Sequence, residues 1–136
     1  FSGIAKFMED TIARAGQNGY VETVLGRKTW IREINSANFT VKGFAERVAI
    51  NAPIQGTAAD MIKLAMISIH KEMRQRKLKS RMLLQVHDEL IFDVHTEELE
   101  EMKALVLNKM ETALPLPGGV PVKAEIGTGN NWLEAH

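Results

Sequence analysis

Eleven residues, Leu84 to Val94 (Leu-Gln-Val-His-Asp-Glu-Leu-Ile-Phe-Asp-Val), constrain this chain more than any other stretch. Met82, Leu84 and Val86 alternate with Leu83, Gln85 and His87. After the join, Leu90, Phe92 and Val94 alternate with Ile91, Asp93 and His95. That period of two predicts a pair of antiparallel strands with His87, Asp88 and Glu89 where they meet. Two-residue hairpin turns favour Asn-Gly or Asp-Gly, because their central residues need positive φ. Here the join offers Asp-Glu with no glycine near it. A turn that gives up its preferred chemistry to hold two carboxylates and an imidazole points to a site. The competing reading, Asp88 as an ordinary turn former, stays open on these residues alone.

The rest of the chain supplies helices to cover such a hairpin. Ile4, Phe7, Met8, Ile12 and Ala15 recur at helical spacing, and Gly16 and Gly19 follow, so a helix is expected over 2–17 that stops on glycine. Residues 20–24 and 27–34, split by Leu25-Gly26, predict a small hairpin with a basic tip. A polar stretch, Asn35 to Thr40, leads to a long helical pattern from about Val41 to Arg76. Pro53 and Gly56 predict a kink or break in it, with Thr57 and Asp60 capping the second half. Ile54, Ala58, Met61, Ile62, Ala65, Met66 and Ile69 mark its apolar face. Thr96 is the expected cap of a further helix, with Glu97 and Glu98 in its first turn and Leu99, Met102, Val106, Met110 and Ala113 as its stripe. Val120, Val122, Ala124 and Ile126 alternate as a last strand. The fold class is α+β in one 136-residue unit, without internal repeats.

Composition narrows the setting. With 45% hydrophobic and 25% charged residues, the chain reads as an ordinary soluble domain. It has no cysteine, which excludes disulfides and thiolate metal sites and is compatible with a reducing compartment. No apolar run approaches the roughly 20 residues that span a bilayer, and no membrane partner is expected. The chain begins at Phe1 without a methionine, so a fragment or processed product is expected. Net charge is zero, yet its distribution is uneven. Lys71, Arg74, Arg76, Lys77, Lys79 and Arg81 form a basic run, whereas Asp88, Glu89, Asp93, Glu97, Glu98, Glu100 and Glu101 accumulate where Lys and Arg are missing. Such runs fit a solvated face, and they equally suit a metal ion that meets a polyanion.

Two constellations have the residue types for chemistry. Arg47, Asn51 and Gln55 are spaced by four and share a helix face. A face kept for solubility favours Lys and Glu, whereas Arg, Asn and Gln donate to phosphates and base edges. On spacing alone an exposed stripe remains an alternative, and a kink at Pro53 would turn Gln55 inward. Asp88 is the best candidate metal ligand. A two-cation site needs at least two carboxylates. Asp93, five residues along an extended strand, lies roughly 16 Å from Asp88 at about 3.3 Å per residue, too far to share an ion. Glu89 is a weak secondary ligand, because a neighbour in a strand points elsewhere. His70, His87, His95 and His136 show no metal-ligand spacing. A phosphate-cradling glycine loop, a nucleophile elbow and a reactive thiol are all missing from the sequence. The residues alone describe half of a metal site.

Gln85-Val86-His87-Asp88-Glu89-Leu90 resembles the third palm motif of the family A DNA polymerases, the bacterial DNA polymerase I group. Gly19-Tyr20-Val21-Glu22-Thr23, Gly26-Arg27, Phe44-Ala45-Glu46-Arg47 and the run Ala49 to Asp60 (Ala-Ile-Asn-Ala-Pro-Ile-Gln-Gly-Thr-Ala-Ala-Asp) resemble the same family, in the same order. So does the stretch Val122 to Trp132. The resemblance covers nearly the whole chain. It implies that Asp88 binds catalytic Mg²⁺, one of two ions, with Glu89 beside it in a lesser role and His87 near the primer terminus. It implies that Arg47, Asn51 and Gln55 contact the primer–template, Gln55 from the minor-groove side. Acceptors there are similar in all correct pairs, so such contacts check pair shape without reading sequence.

The implied architecture is the C-terminal portion of a polymerase domain. About 1–60 corresponds to a fingers-derived helix and small hairpin with the start of the long helix. About 61–136 corresponds to an antiparallel palm-type sheet, in which the 84–94 hairpin and the last strand pack with long helices. The motif that supplies the other essential aspartate, and the helix that contacts the incoming nucleotide, do not occur in these residues. Near Phe1, Ser2-Gly3 stands where the family usually has Pro-Gly. The implied activity is DNA-directed DNA polymerisation in replication or repair, with deoxynucleoside triphosphates and the remainder of the polymerase chain as partners. The implied setting is cytoplasmic and nucleoid-associated, and the fragment is expected to be inactive alone. Competing readings are a non-catalytic nucleic-acid-binding module with a palm-like fold and, more remotely, a metallohydrolase.

Overall fold

The computed structural model describes residues 2–135. Helix α1 (Ser2–Asn18) leads to strands β1 (Tyr20–Glu22) and β2 (Lys28–Trp30), then to helix α2 (Phe39–Gln75). Strands β3 (Arg81–Val86) and β4 (Glu89–Asp93) follow, then helix α3 (Leu99–Glu111) and a short terminal helix α4 (Trp132–Ala135). The strands form two separate antiparallel pairs, β1 with β2 and β3 with β4. The α+β expectation holds. The chain divides after Asp60 into two compact units, and α2 contributes to both.

In the first unit, α1 ends where its pattern says. Gly19 adopts φ +77° and donates its N–H to the Ala15 carbonyl at 2.8 Å, a left-handed cap that a side chain would strain. The Asn38 side-chain oxygen accepts from the Thr40 and Val41 N–H groups at 3.0 and 3.3 Å and so starts α2 slightly before the expected residue. Ala15, Val21, Ile31, Ile34, Ala45 and Ala49 form the core of this unit. The alanines let α2 approach closely at Ala45 and Ala49.

No break occurs at Pro53 or Gly56; α2 runs uninterrupted for 37 residues. Proline inside a helix costs about 3 kcal/mol, chiefly through one lost hydrogen bond and a clash with the preceding turn. Anchors on either side offset that cost. Ala45 and Ala49 are buried before the proline, and the β1–β2 hairpin grips the helix after it. Thr57 and Asp60 are therefore not a cap. The Thr57 hydroxyl accepts from the Val24 N–H at 3.1 Å, and Asp60 Oδ1 accepts from Arg27 Nε at 2.9 Å. Arg27 Nη2 also donates to the Gly56 carbonyl at 2.8 Å. Gly56 is needed for close approach, since a Cβ there would lie 2.6 Å from Thr23 Cγ2.

In the second unit, Ala65, Ile69 and Met73 of α2 close on Met102, Leu105 and Val106 of α3, with Leu78, Met82, Leu90, Phe92 and Val94 packed around them. Helix α2 stops without glycine. Lys77 takes φ +57°, Leu78 N–H reaches the Met73 carbonyl at 3.0 Å, and Lys77 N–H reaches Arg74 at 3.2 Å, while Leu78 packs on the core that holds Met73. Two further expectations are corrected. A 3₁₀ turn, Thr96–Glu98, precedes α3, and Thr96 makes no capping hydrogen bond. Among the described residues the alternating stretch Val120 to Ile126 forms no strand, and the sheet of the second unit consists of β3 and β4. A strand needs a ladder, and here the Ala124 N–H instead meets Glu111 Oε1 at 3.4 Å.

Glu98 is recruited elsewhere. Its carboxylate accepts from the Lys79 N–H at 2.8 Å, the Ser80 N–H at 2.9 Å and the Ser80 hydroxyl at 2.6 Å; Ser80 Oγ in turn accepts from the His95 N–H at 3.0 Å. This clamp ties the segment before β3 to the segment after β4. The Lys79 N–H, followed by the Ser80 hydroxyl, lowers the Glu98 pKa from 4.5 to about 2. A depressed carboxylate stabilises the fold fully above its unfolded pKa, and that contribution is lost as pH falls through the folded value. Thermal unfolding should therefore show Glu98→Gln melting below wild type from neutral pH down to about 4.5, with the gap closing towards pH 2. A gap independent of pH would show that the carboxylate charge is not what the clamp uses.

Candidate functional site

The hairpin tip is sharper than its sequence suggests. Val86 pairs with Glu89 and Gln85 with Leu90, so the loop is the two residues His87-Asp88 rather than Asp88-Glu89. His87 has φ +53°, the left-handed value that a primed turn requires and that glycine usually supplies. Such a conformation costs a non-glycine residue about 1–3 kcal/mol and persists only where its surroundings hold it. Paired strands fix both ends, and Gln85 Nε2 donates to the His87 carbonyl at 2.7 Å. Asp88 is thereby presented on an exposed apex, next to an exposed imidazole. Glu89 is half-buried in β4, outside the turn. Asp93 pairs with Arg81 at the open end of the hairpin, whereas Asp88 lies in the turn at the other end.

A bulge alters the faces. Met82 pairs with Phe92 but Leu84 with Ile91, leaving Leu83 as an extra residue. Simple alternation places Met82, Leu84 and Val86 together. Beyond the bulge, Leu84 and Val86 instead share a face with Ile91 and Glu89, while Met82, Leu90 and Phe92 face the core. Leu83 and Leu84 remain exposed.

The charge runs around the hairpin are partly structural. Arg76 of the basic run donates to Glu72 at 2.7 Å and to Glu101 at 3.0 Å, and Lys109 lies 3.3 Å from Glu72. Arg76, then Lys109, holds the Glu72 carboxyl below its ordinary pKa, while Glu101 and Glu72 raise that of Arg76. With Glu98 in its clamp, the acidic run loses two members to packing between segments. Among the described residues no three His, Cys, Asp or Glu side chains converge as a metal site, and His136 lies outside those residues. The donor set at the tip is thus Asp88, a hard oxygen donor suited to Mg²⁺, with Glu89 its neighbour in sequence.

Arg47, Asn51 and Gln55 do share one exposed face of α2, in the first unit. They line a shallow groove with Phe44, Val48 and Ala52, and the Arg47 guanidinium stands 5.9 Å from the centre of the Phe44 ring. Gln55 points to solvent and is not turned inward, because the helix continues through Pro53. Sequence reasoning left out two participants. Phe44 adds an exposed aromatic face to the groove, and Arg27 anchors the turn just beyond Gln55. Arg27 was visible as part of a basic hairpin tip and of the family-like pair Gly26-Arg27, but not as an anchor of α2, since its partners lie about thirty residues away.

The chain is similar to known proteins over nearly its whole length. The model of DNA polymerase family A matches residues 1–134. DNA polymerase I of Lactococcus lactis subsp. cremoris is 51% identical over 135 residues, which are 99% of this chain and 15% of that protein. DNA polymerase I of Bacillus subtilis is 47% identical over the same length and share. The solved polymerase domain of Pol1 from M. smegmatis, in complex with DNA primer-template and dNTP, superposes with a TM-score of 0.95 at 44% identity. That match takes in 99% of this chain and 24% of the other. The chain spans about 15% of the length of the curated relatives it matches. On this likeness in sequence and in fold, the chain belongs to DNA polymerase family A.

Proposed function

We propose that this chain forms part of the catalytic centre of a DNA-directed DNA polymerase, its 61–136 unit being the second half of a palm and its 1–60 unit the end of the fingers. The observation that carries the reading is the His87-Asp88 turn: an exposed carboxylate on a strained, well-braced apex, within a chain of this family. Exposed Ile4, Phe7, Met8, Phe39, Leu83 and Leu84 support completion by the remainder of a polymerase chain, since soluble domains seldom leave so much apolar surface open. No helix among the described residues is long and apolar enough to cross a membrane. A cytoplasmic, nucleoid-associated enzyme acting in replication or repair fits this reading.

In this mechanism Asp88 contributes one carboxylate to a pair of Mg²⁺ ions, whose other essential aspartate comes from outside these residues. Bound Mg²⁺ supplies activation of the primer 3′-hydroxyl and neutralisation of charge on the pyrophosphate leaving group. Glu89 shapes the anionic surroundings of Asp88. His87, held by the turn, meets the primer terminus. Arg47 donates to the backbone phosphates, while Asn51 and Gln55 donate towards base edges. Gln55 reaches the minor groove at the primer end, where a mispair displaces the acceptors it needs. The ligands are primer–template DNA and deoxynucleoside triphosphates, the two that accompany the M. smegmatis polymerase domain.

Asp88 is the decisive test. In the full-length polymerase, Asp88→Asn should abolish turnover while primer–template binding survives, because size is kept and only charge is lost. A variant retaining more than about a tenth of wild-type kcat, a loss under roughly 1.4 kcal/mol, would remove the metal-ligand role. The 136-residue chain alone, purified free of host polymerase, should not extend a primer; incorporation above a buffer control would contradict the shared metal site. Gln55→Ala in the full-length enzyme should slow extension and reduce matched-over-mismatched discrimination about two- to tenfold, as one neutral hydrogen bond of about 0.5–1.5 kcal/mol allows. A lowered melting temperature with an unchanged ratio would instead make Gln55 a purely structural residue.

A further inference from the structure

The polar row on α2 contains its own weak point. Pro53 stands between Asn51 and Gln55 and leaves the helix one hydrogen bond short there. Directly after Gln55 the helix is held from outside by the tip of the β1–β2 hairpin. Arg27 Nη2 donates to the Gly56 carbonyl at 2.8 Å and Arg27 Nε to Asp60 Oδ1 at 2.9 Å. The Val24 N–H donates to the Thr57 hydroxyl at 3.1 Å, and the Thr23 hydroxyl accepts from the Arg27 N–H at 3.2 Å. Asp60 is buried, as are Thr23 and Thr57, while the Arg27 side chain is half exposed, so the contacts to Thr23, Thr57 and Asp60 are partly enclosed and the one to the Gly56 carbonyl lies at the surface. The bare Cα of Gly56 lets Thr23 and Arg27 come this close.

We propose that Arg27 is a positioning residue for Gln55. Its planar fork ties two points on successive turns of α2, the Gly56 carbonyl and the Asp60 carboxylate, to a hairpin that is braced independently by Ile31 and Val21 in the first core. The tie sets where the turn carrying Gln55 stands after the proline. Arg27 itself touches neither DNA nor nucleotide in this account; it acts through the helix. The proposal rests on the reading of Gln55 as a minor-groove contact.

The test is a double-mutant cycle in the full-length polymerase, with extension from matched and mismatched primer ends and melting temperature read on each preparation. Arg27→Gln should lower the matched-to-mismatched ratio about two- to tenfold, comparable with Gln55→Ala, and should add nothing to that ratio once Gln55 is already alanine. Arg27→Lys keeps the charge and folding but cannot bridge both acceptors as a fork, so it should fall between wild type and Arg27→Gln. Should Arg27→Gln fail to fold, the Arg27→Lys cycle decides by the same criterion. A lower melting temperature with an unchanged ratio, while Gln55→Ala still changes it, would overturn positioning by Arg27 and leave the role of Gln55 intact. Additive losses of discrimination in the double variant would overturn it equally. If Gln55→Ala itself left the ratio unchanged, the minor-groove reading would fall and the proposal with it.

Discussion

The continuity of α2 through Pro53 is the constraint on which the Arg47, Asn51 and Gln55 row depends, in a helix that contributes to both units. One helix supplies Ala45 and Ala49 to the first core and Ala65, Ile69 and Met73 to the second. A break at the proline would free the second half of the Arg47, Asn51 and Gln55 row from the first. The helix survives because its local defect is small, one donor and one clash, whereas burial and hydrogen bonds on both sides are many. Local propensity therefore loses to tertiary packing, as is usual when a single unfavourable residue stands inside an otherwise well-anchored element.

The hairpin tip follows the same logic with the opposite sign. There the strained residue is exposed, and the structure holds it instead of relieving it. His87 in a left-handed conformation is costly, yet two ladder pairs and the Gln85 side chain define its position. Glu98, Ser80 and His95 close the other end of the hairpin through backbone donors. For the metal-ligand role proposed for Asp88, a support whose geometry is settled before binding is an advantage, since little ordering then remains to be done. Bracing at both ends of β3 and β4 provides that support, while the core beneath comes from Met82, Leu90 and Phe92.

Most of the elements were legible in the sequence because their signals are local. Period-two alternation found β3 and β4, glycine marked the end of α1, and spacing by four found the exposed row of α2. Matching strings such as Asn51 to Asp60 identified the family, and the comparisons bear this out. The errors also have a common cause. The bulge at Leu83, the Lys77 cap without glycine, the use of Thr57 and Asp60 by a distant hairpin and the absence of a last strand each depend on a partner remote in the chain. Leu105 was missed from the α3 stripe, although α2 buries it beside Met102 and Val106.

The sequence by itself determined the α+β class, most of the helices and strands, the family and the residue types available for chemistry, because these follow from short-range periodicity and matching motifs. Tertiary structure alone decided which residue bears the strain of the turn, which acidic side chains are committed to clamps, and that Arg27 reaches across to the helix beyond Gln55. The physical reason is that hydrogen bonds and register depend on which groups meet in space. A one-residue bulge or a contact spanning some thirty residues changes those meetings without altering the local pattern.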